Sequence, residues 1–257
     1  MLSKHQKPQK FIAYFELREA LQQEGCPICS LLIKRSTALL DGLLYEQVTD
    51  SGTRVRLRQA HGLCNWHAWM LTQVVTGRSG VAIIYEDLLR HQLAALRSSL
   101  RMLRPRSVLQ RLRDRCRRLL PLPLLAQWSQ RKPCPVCYQL QEVDEAGYLH
   151  TLLDFLTEPD FAQDFQRSFG LCLPHLLRTI ERERDHPALA TLVQGETEKL
   201  GKLQQELQEF LRKFDYRFAT ASCGEEGSSW QRAIELFVGK PWVFGNDRCW
   251  YEHRGHN

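Results

Sequence analysis

Eight residues of this chain offer ligand chemistry at a repeated spacing. Cys26 and Cys29 lie in the segment Cys-Pro-Ile-Cys, and Cys64 and His67 in Gly-Leu-Cys-Asn-Trp-His. The pattern returns with Cys134 and Cys137 in Cys-Pro-Val-Cys, and with Cys172 and His175 in Gly-Leu-Cys-Leu-Pro-His, every ligand displaced by 108 positions. In both copies 34 residues separate the second cysteine from the third. Three thiolates and an imidazole close a tetrahedron round one ion, the donor set of a structural zinc site with no open position. The spacing assigns Cys26, Cys29, Cys64 and His67 to one zinc ion. It assigns Cys134, Cys137, Cys172 and His175 to a second, giving two per chain. An iron–sulfur cluster on the same ligands is the runner-up. A lone CxxC reads equally as a redox pair or as buried thiols, and the duplication is what selects metal. Covalent haem is excluded, because Ser30 and Tyr138 stand where CxxCH needs histidine.

Helices must position these ligands. Leu39, Leu40, Leu43, Leu44 and Val48 recur at near-helical spacing, as do Leu149, Leu152, Leu153 and Leu156. Each run ends in a turn-like segment, at 49–52 or 157–160, and a shorter helix follows near 53–60 or 161–168. Gly62 and Gly170 suit helix C-terminal turns, and each CxxH step opens a further helix. The expectation is a helical hairpin in each copy that returns the CxxH pair beside its own CPxC pair. A long amphipathic helix then follows each copy, over 81–102 and 192–214. The fold class is mostly α: two tandem helical modules, each round a Cys3His site, plus a short aromatic tail. The divisions are 1–105, then 106–219 with an arginine-rich linker at its start, then 220–257. In the last, 230–239 reads as a short helix closed by glycine, and Trp242, Phe244, Trp250 and Tyr251 mark a tail that docks on its own domain.

Composition bounds the rest. Of 257 residues, 43% are hydrophobic and 25% charged, which predicts a packed core rather than disorder. The net charge of +6 falls to about +4 with six thiolates and two zinc ions, too little to imply nucleic-acid binding by itself. No signal-type apolar run precedes Cys26. The longest aliphatic cluster, 119–126, is broken by two prolines and falls short of the roughly 20 residues a bilayer needs. A cytoplasmic location is the expectation, where thiols stay reduced and the odd total of nine cysteines speaks for metal rather than disulfides. Between Arg97 and Arg118 nine arginines face one acid, Asp114. Arg111, Arg113, Arg117 and Arg118 are the candidate phosphate contacts of a nucleic-acid-binding reading; the bland alternative is a solvated helix face. Cys223, Cys249, His253 and His256 would make a third metal site but lack a repeated counterpart. Cys116, set among arginines, reads as a linker thiol. His61 precedes Gly62 but has Phe169 as its counterpart, so a packing or surface role is expected rather than a catalytic one.

Cys26-Pro-Ile-Cys29, Gly62–Trp69 and Arg212–Phe218 together resemble a family of bacterial proteins of unknown function. Its members share a CPIC opening, a GLC-x-x-H-A-W stretch and a C-terminal RK-x-DYRF segment. The resemblance covers most of the chain and implies its domain limits rather than an activity. No phosphate loop, nucleophile elbow, dinucleotide fingerprint or HExxH helix is present, and no small-molecule substrate is evident. The leading expectation is a non-catalytic zinc scaffold with a protein partner. A nucleic-acid-binding regulator and a thiol redox or metal sensor are the alternatives.

Overall fold

A computed structural model describes residues 9–74, 77–103, 123–213 and 224–244. The fold is mostly α, and no strand occurs among the described residues. In chain order the helices are α1 (Ile12–Leu21), α2 (Pro27–Tyr45), α3 (Ser51–Gln59), α4 (Asn65–Met70), α5 (Arg78–Leu103) and α6 (Pro123–Ser129). They continue as α7 (Pro135–Gln139), a π-helical turn (Leu140–Glu145), α8 (Ala146–Phe155), α9 (Pro159–Arg167), α10 (Leu173–Arg182), α11 (Leu189–Lys213) and α12 (Ser229–Val238). No helix among the described residues is long and apolar enough to cross a membrane.

The repeat is visible element by element. α3 and α9 have nine residues each and start 108 positions apart, as do the starts of α4 and α10. Both long amphipathic helices are present as α5 and α11, and the glycine-closed helix as α12. In α3 the C-terminal turn is a Schellman motif. The His61 N–H donates to Arg58 (3.1 Å) and the Gly62 N–H to Leu57 (2.8 Å). His61 takes the left-handed position at φ 51°, where its ring stacks on Trp128 at 4.6 Å. That places it in a packing role.

The chain forms two compact units, each built from both repeats. One takes the chain up to Arg35 and again over Leu140–Phe244; the other takes Ser36–Gln139. The first unit's core holds Leu17, Leu149, Leu152, Leu153, Phe161 and Leu192, all inaccessible to solvent. There α1 lays Tyr14, Leu17, Ala20 and Leu21 against α8 and α9. The Tyr14 ring meets Phe155 at 4.5 Å and Phe161 at 5.7 Å, and Arg18 pairs with Asp164 at 2.7 Å. The second unit packs Leu40, Leu57, Ala60, Leu71 and Ile84. In it Asp87 of α5 ties down Arg54 (3.4 Å) and Arg58 (3.2 Å) of α3.

Helix lengths explain why each unit mixes the repeats. α2 runs unbroken for 19 residues from the proline after Cys26, about 28 Å of rise. α3 returns only nine residues, about 14 Å. The outward leg therefore overshoots the return leg. The chain enters the other unit within α2, and again between α7 and the π-turn.

Leu17 is the most enclosed residue of the α1 face. Leu17→Ala should cost about 2–5 kcal/mol, read by chemical denaturation of the full chain. A loss below about 1 kcal/mol would mean that α1 is not part of this core.

Candidate metal centres

Each ligand pair sits on a helix N-terminus, and all four do so in the same way. Cys64 and Cys172 are the N-caps of α4 and α10, with extended backbone. Cys26 and Cys134 immediately precede α2 and α7. In every case the cap carbonyl accepts the first helical bond: Cys26 from Ser30 (3.2 Å), and Cys64 from Ala68, Cys134 from Tyr138 and Cys172 from Leu176 (2.9 Å each). The second ligand is three residues on, so both side chains face the same opening of the first turn, as the two members of a capping box do. Pro27 and Pro135 occupy the first helical position, where a missing N–H costs nothing. The positive end of each helix then faces the sulfurs and favours thiolate.

The structure gathers all eight ligands into two clusters but groups them across the repeats. Cys26 and Cys29 meet Cys172 and His175; Cys64 and His67 meet Cys134 and Cys137. This corrects the within-repeat pairing expected from the spacing. The reason is the overshoot of α2 and of its counterpart, which carries each CxxH pair away from its own CPxC pair. Within each cluster the donor atoms all lie within 4.8 Å of one another.

The distances are those of a single tetrahedral centre. Bonds near 2.3 Å to sulfur and 2.0 Å to nitrogen give tetrahedron edges of roughly 3.8 Å between sulfurs and about 3.5 Å between sulfur and nitrogen. In the first cluster Cys29 and Cys172 are 3.7 Å apart, and His175 Nδ1 is 3.5, 3.5 and 3.1 Å from Cys26, Cys29 and Cys172. In the second, Cys137 and Cys64 are 3.6 Å apart. There His67 Nδ1 is 3.1, 3.7 and 3.3 Å from Cys64, Cys134 and Cys137. Both clusters are thus capable of coordinating a metal ion.

Electrostatics supports the same conclusion. Burial disfavours the Cys26 thiolate, but hydrogen bonds with Cys172, Cys29 and His175 outweigh it and hold this thiol well below its ordinary range. Cys29 is pushed up by Cys172 and Cys26 and then by burial; Cys172 is pushed up chiefly by Cys26. In the second cluster hydrogen bonds with Cys137 and Cys64 hold Cys134 low against burial, and Cys134 and Cys64 push Cys137 up. Burial opposes a charged His67, yet the sulfurs of Cys134 and Cys64 raise it to about 9. Neither pocket of sulfurs accommodates three negative charges unaided. A bound dication removes that conflict, because ligation deprotonates the thiols.

Polar residues behind the ligands complete each centre. Nδ1 is turned to the sulfurs, and His175 Nε2 faces Glu145 Oε1 at 3.6 Å. Both atoms are buried and have no other partner among the described residues. Glu145 is fully buried and its other oxygen accepts from Arg178 at 2.6 Å. His67 Nε2 meets Ser36 Oγ at 3.4 Å. These partners orient imidazole ligands and raise their basicity. Ser36 is seven residues beyond Cys29 and Glu145 eight beyond Cys137, and the π-turn absorbs the extra residue. The missed signal was a polar residue on an apolar stripe: Ser36 lies between Leu32 and Leu40, and Glu145 four residues before Leu149.

The first centre has a cover that the second lacks among the described residues. The Cys26 N–H donates to Glu235 of α12 (2.8 Å), and the Lys240 N–H to Cys29 Sγ (3.4 Å). Phe244 packs on the His175 ring at 4.8 Å, and the Arg178 guanidinium lies over the Phe244 ring at 5.1 Å. Phe244 is thus the part of the expected tail that docks on its own domain; Trp242 is 48% exposed, and Trp250 and Tyr251 lie outside the described residues. Gly170 (φ 86°) admits Glu196 and Lys199 where a side chain would clash. The Leu171 N–H donates to Glu196 at 2.7 Å. Lys199 donates to three carbonyls at the end of α9, those of Phe165, Gln166 and Ser168. Burial pushes Glu196 up to about 7, against the Leu171 N–H and Lys199. Cys26, Cys29, Cys172 and His175 are all fully buried, whereas Cys137 of the second centre is only partly so.

Other predicted residues lie elsewhere. Arg111, Arg113, Arg117 and Arg118 fall outside the described residues, as do Cys116, Cys223, Cys249, His253 and His256. Of the nine arginines, Arg97 and Arg101 are described, on α5.

Glu145→Ala should weaken metal binding at one of the two centres by about 10–100-fold, measured by chelator competition. Equal affinities at both centres in that variant would remove Glu145 from the account.

Comparison with known proteins adds family but no activity. The chain is 25% identical over 227 residues to an uncharacterized 23.9 kDa protein in the xynA 3′ region of Caldicellulosiruptor sp. (strain Rt8B.4), covering 86% of this chain and 98% of that one. No solved structure matches it. Residues 9–242 match the profile of a family of unknown function, DUF6062, and the chain belongs to that family.

Proposed function

We propose that each cluster holds one zinc ion as a structural tie, and that the chain is a non-catalytic helical scaffold for a protein partner. One observation carries this reading: in both clusters the four protein donors lie within 4.8 Å of one another, close enough for one ion to be bound by all four. That leaves no position for substrate or water. The same closeness disfavours an iron–sulfur cluster, whose several atoms would hold the four donors further apart. Tying together ligand pairs drawn from both repeats makes metal binding part of folding, which in small zinc peptides contributes about 10–16 kcal/mol. A core of this size also stabilises the chain, so partial dependence is expected.

The redox alternative draws support only from Cys137, whose partial exposure opens the second centre to oxidants. Zinc released by low peroxide from that centre, with the first intact, would favour it.

Elemental analysis of protein purified without an affinity metal should find two zinc ions per chain in a colourless solution. Cys134→Ser should leave one zinc. It should lower the melting temperature by at least about 6 °C, the shift roughly 3 kcal/mol gives in a chain of this size. Iron with sulfide would overturn the zinc assignment. An unchanged melt would overturn the structural role.

A further inference from the structure

The two units treat one equivalent place differently. In the first, α1 fills the trough between α8 and α9. The corresponding walls in the second are the later half of α2 and α3, where Thr53, Arg56 and Leu57 take the places of Phe161, Asp164 and Phe165. Between them is a cavity of about 690 Å³, lined by Leu39, Leu43, Leu57, Leu63, Val136 and Tyr138 among others. The repeat counterpart of α1 is α6, since positions 15–21 map onto 123–129. α6 lies along α5 instead. There the Leu124 N–H donates to Ser99 (3.2 Å) and Trp128 Nε1 to Gln92 (3.2 Å). No described helix takes the seat.

We propose that this groove receives an amphipathic helix from a protein partner, with an acidic residue where α1 carries Arg18. The inference deepens the scaffold reading and rests on it. The apolar requirement comes from the precedent in the same chain: α1 buries residues 14, 17, 20 and 21 against walls of the same origin. The charge requirement comes from a reversal at one position. Asp164, which pairs with Arg18 at 2.7 Å, is replaced by Arg56. Among the described residues, Arg56 and Lys132 are the only charged ones lining the groove. Asp50 stands at the place of Glu158, but its carboxylate is engaged as the α3 N-cap by the Thr53 N–H at 2.6 Å. Residues 104–122 carry seven arginines and one aspartate, the same sign as the groove, so that segment does not complement it.

The probe is a fluorescent peptide of residues 9–23 carrying Arg18→Glu, titrated with the full chain after its zinc content has been measured. Saturable binding is expected, at least ten-fold tighter than that of the unaltered 9–23 peptide. Leu39→Glu in the chain should weaken it at least ten-fold. Arg56→Glu should reverse the preference between the peptides, a result that misfolding does not mimic. Absence of binding to a chain holding two zinc ions overturns the groove and leaves the scaffold reading standing. Absence of zinc with peptide binding intact does the opposite. Equal binding of both peptides, or binding that appears only when residues 245–257 are removed, also overturns the proposal. In the last case the groove belongs to the chain's own tail.

Discussion

The structure depends on a mismatch of helix lengths. A CPxC pair opens a helix of 19 residues in one repeat, and the helix that turns back has nine. A hairpin with unequal legs cannot bring its ends together. Each CxxH pair therefore finds the CPxC pair of the other repeat. From this follow two units that each draw on both repeats, two centres of like donor set, and in each repeat a helical segment that contributes to both centres. α2 begins with the cysteines of one centre and, ten residues on, offers Ser36 to the histidine of the other. Its counterpart does the same with Cys134, Cys137 and Glu145.

The ligands need little beyond helix geometry. An N-cap and the third residue after it share one opening at the helix terminus, so CxxC and CxxH are the same device with a different second donor. Two such termini facing each other supply four donors and two favourable dipole ends. Burial of three thiols would otherwise be costly, because the first charge makes the next harder to form. In the second cluster Cys134 is held low while Cys134 and Cys64 push Cys137 up, the directions that such crowding gives. A divalent ion bound there would resolve it and would lock two segments distant in sequence.

The eight residues that gather into the two clusters were legible, because types, spacing and duplication all agreed. So were the helix boundaries: the windows predicted for α3, α9, α5 and α11 fall within a few residues of those observed. The pairing was not legible from ligand spacing, since equal gaps fit a within-repeat site and a cross-repeat site alike. It turned on where α2 starts. Pro27 at the first helical position marks that start, and Leu31 and Leu32, both buried, continue the stripe back from Leu39. Reading the helix from its proline would have exposed the unequal legs. Glu145 and Ser36 were hidden for a related reason. A polar residue on an apolar stripe is visible in the sequence, but its partner is set by the tertiary exchange. The N-terminal α1 carries its signal in Tyr14, Leu17, Ala20 and Leu21, whose spacing fits one helix face.

The exchange of ligand pairs is the claim that most of the account rests on, and paired substitutions test it through metal content. Cys26→Ser with Cys172→Ser removes two ligands from one centre in this structure, and the chain should retain one zinc ion. Cys26→Ser with Cys64→Ser removes one ligand from each, and both ions should be lost or greatly weakened. The reverse pattern, one ion kept in the second variant and none in the first, would restore the within-repeat sites and contradict the exchanged fold.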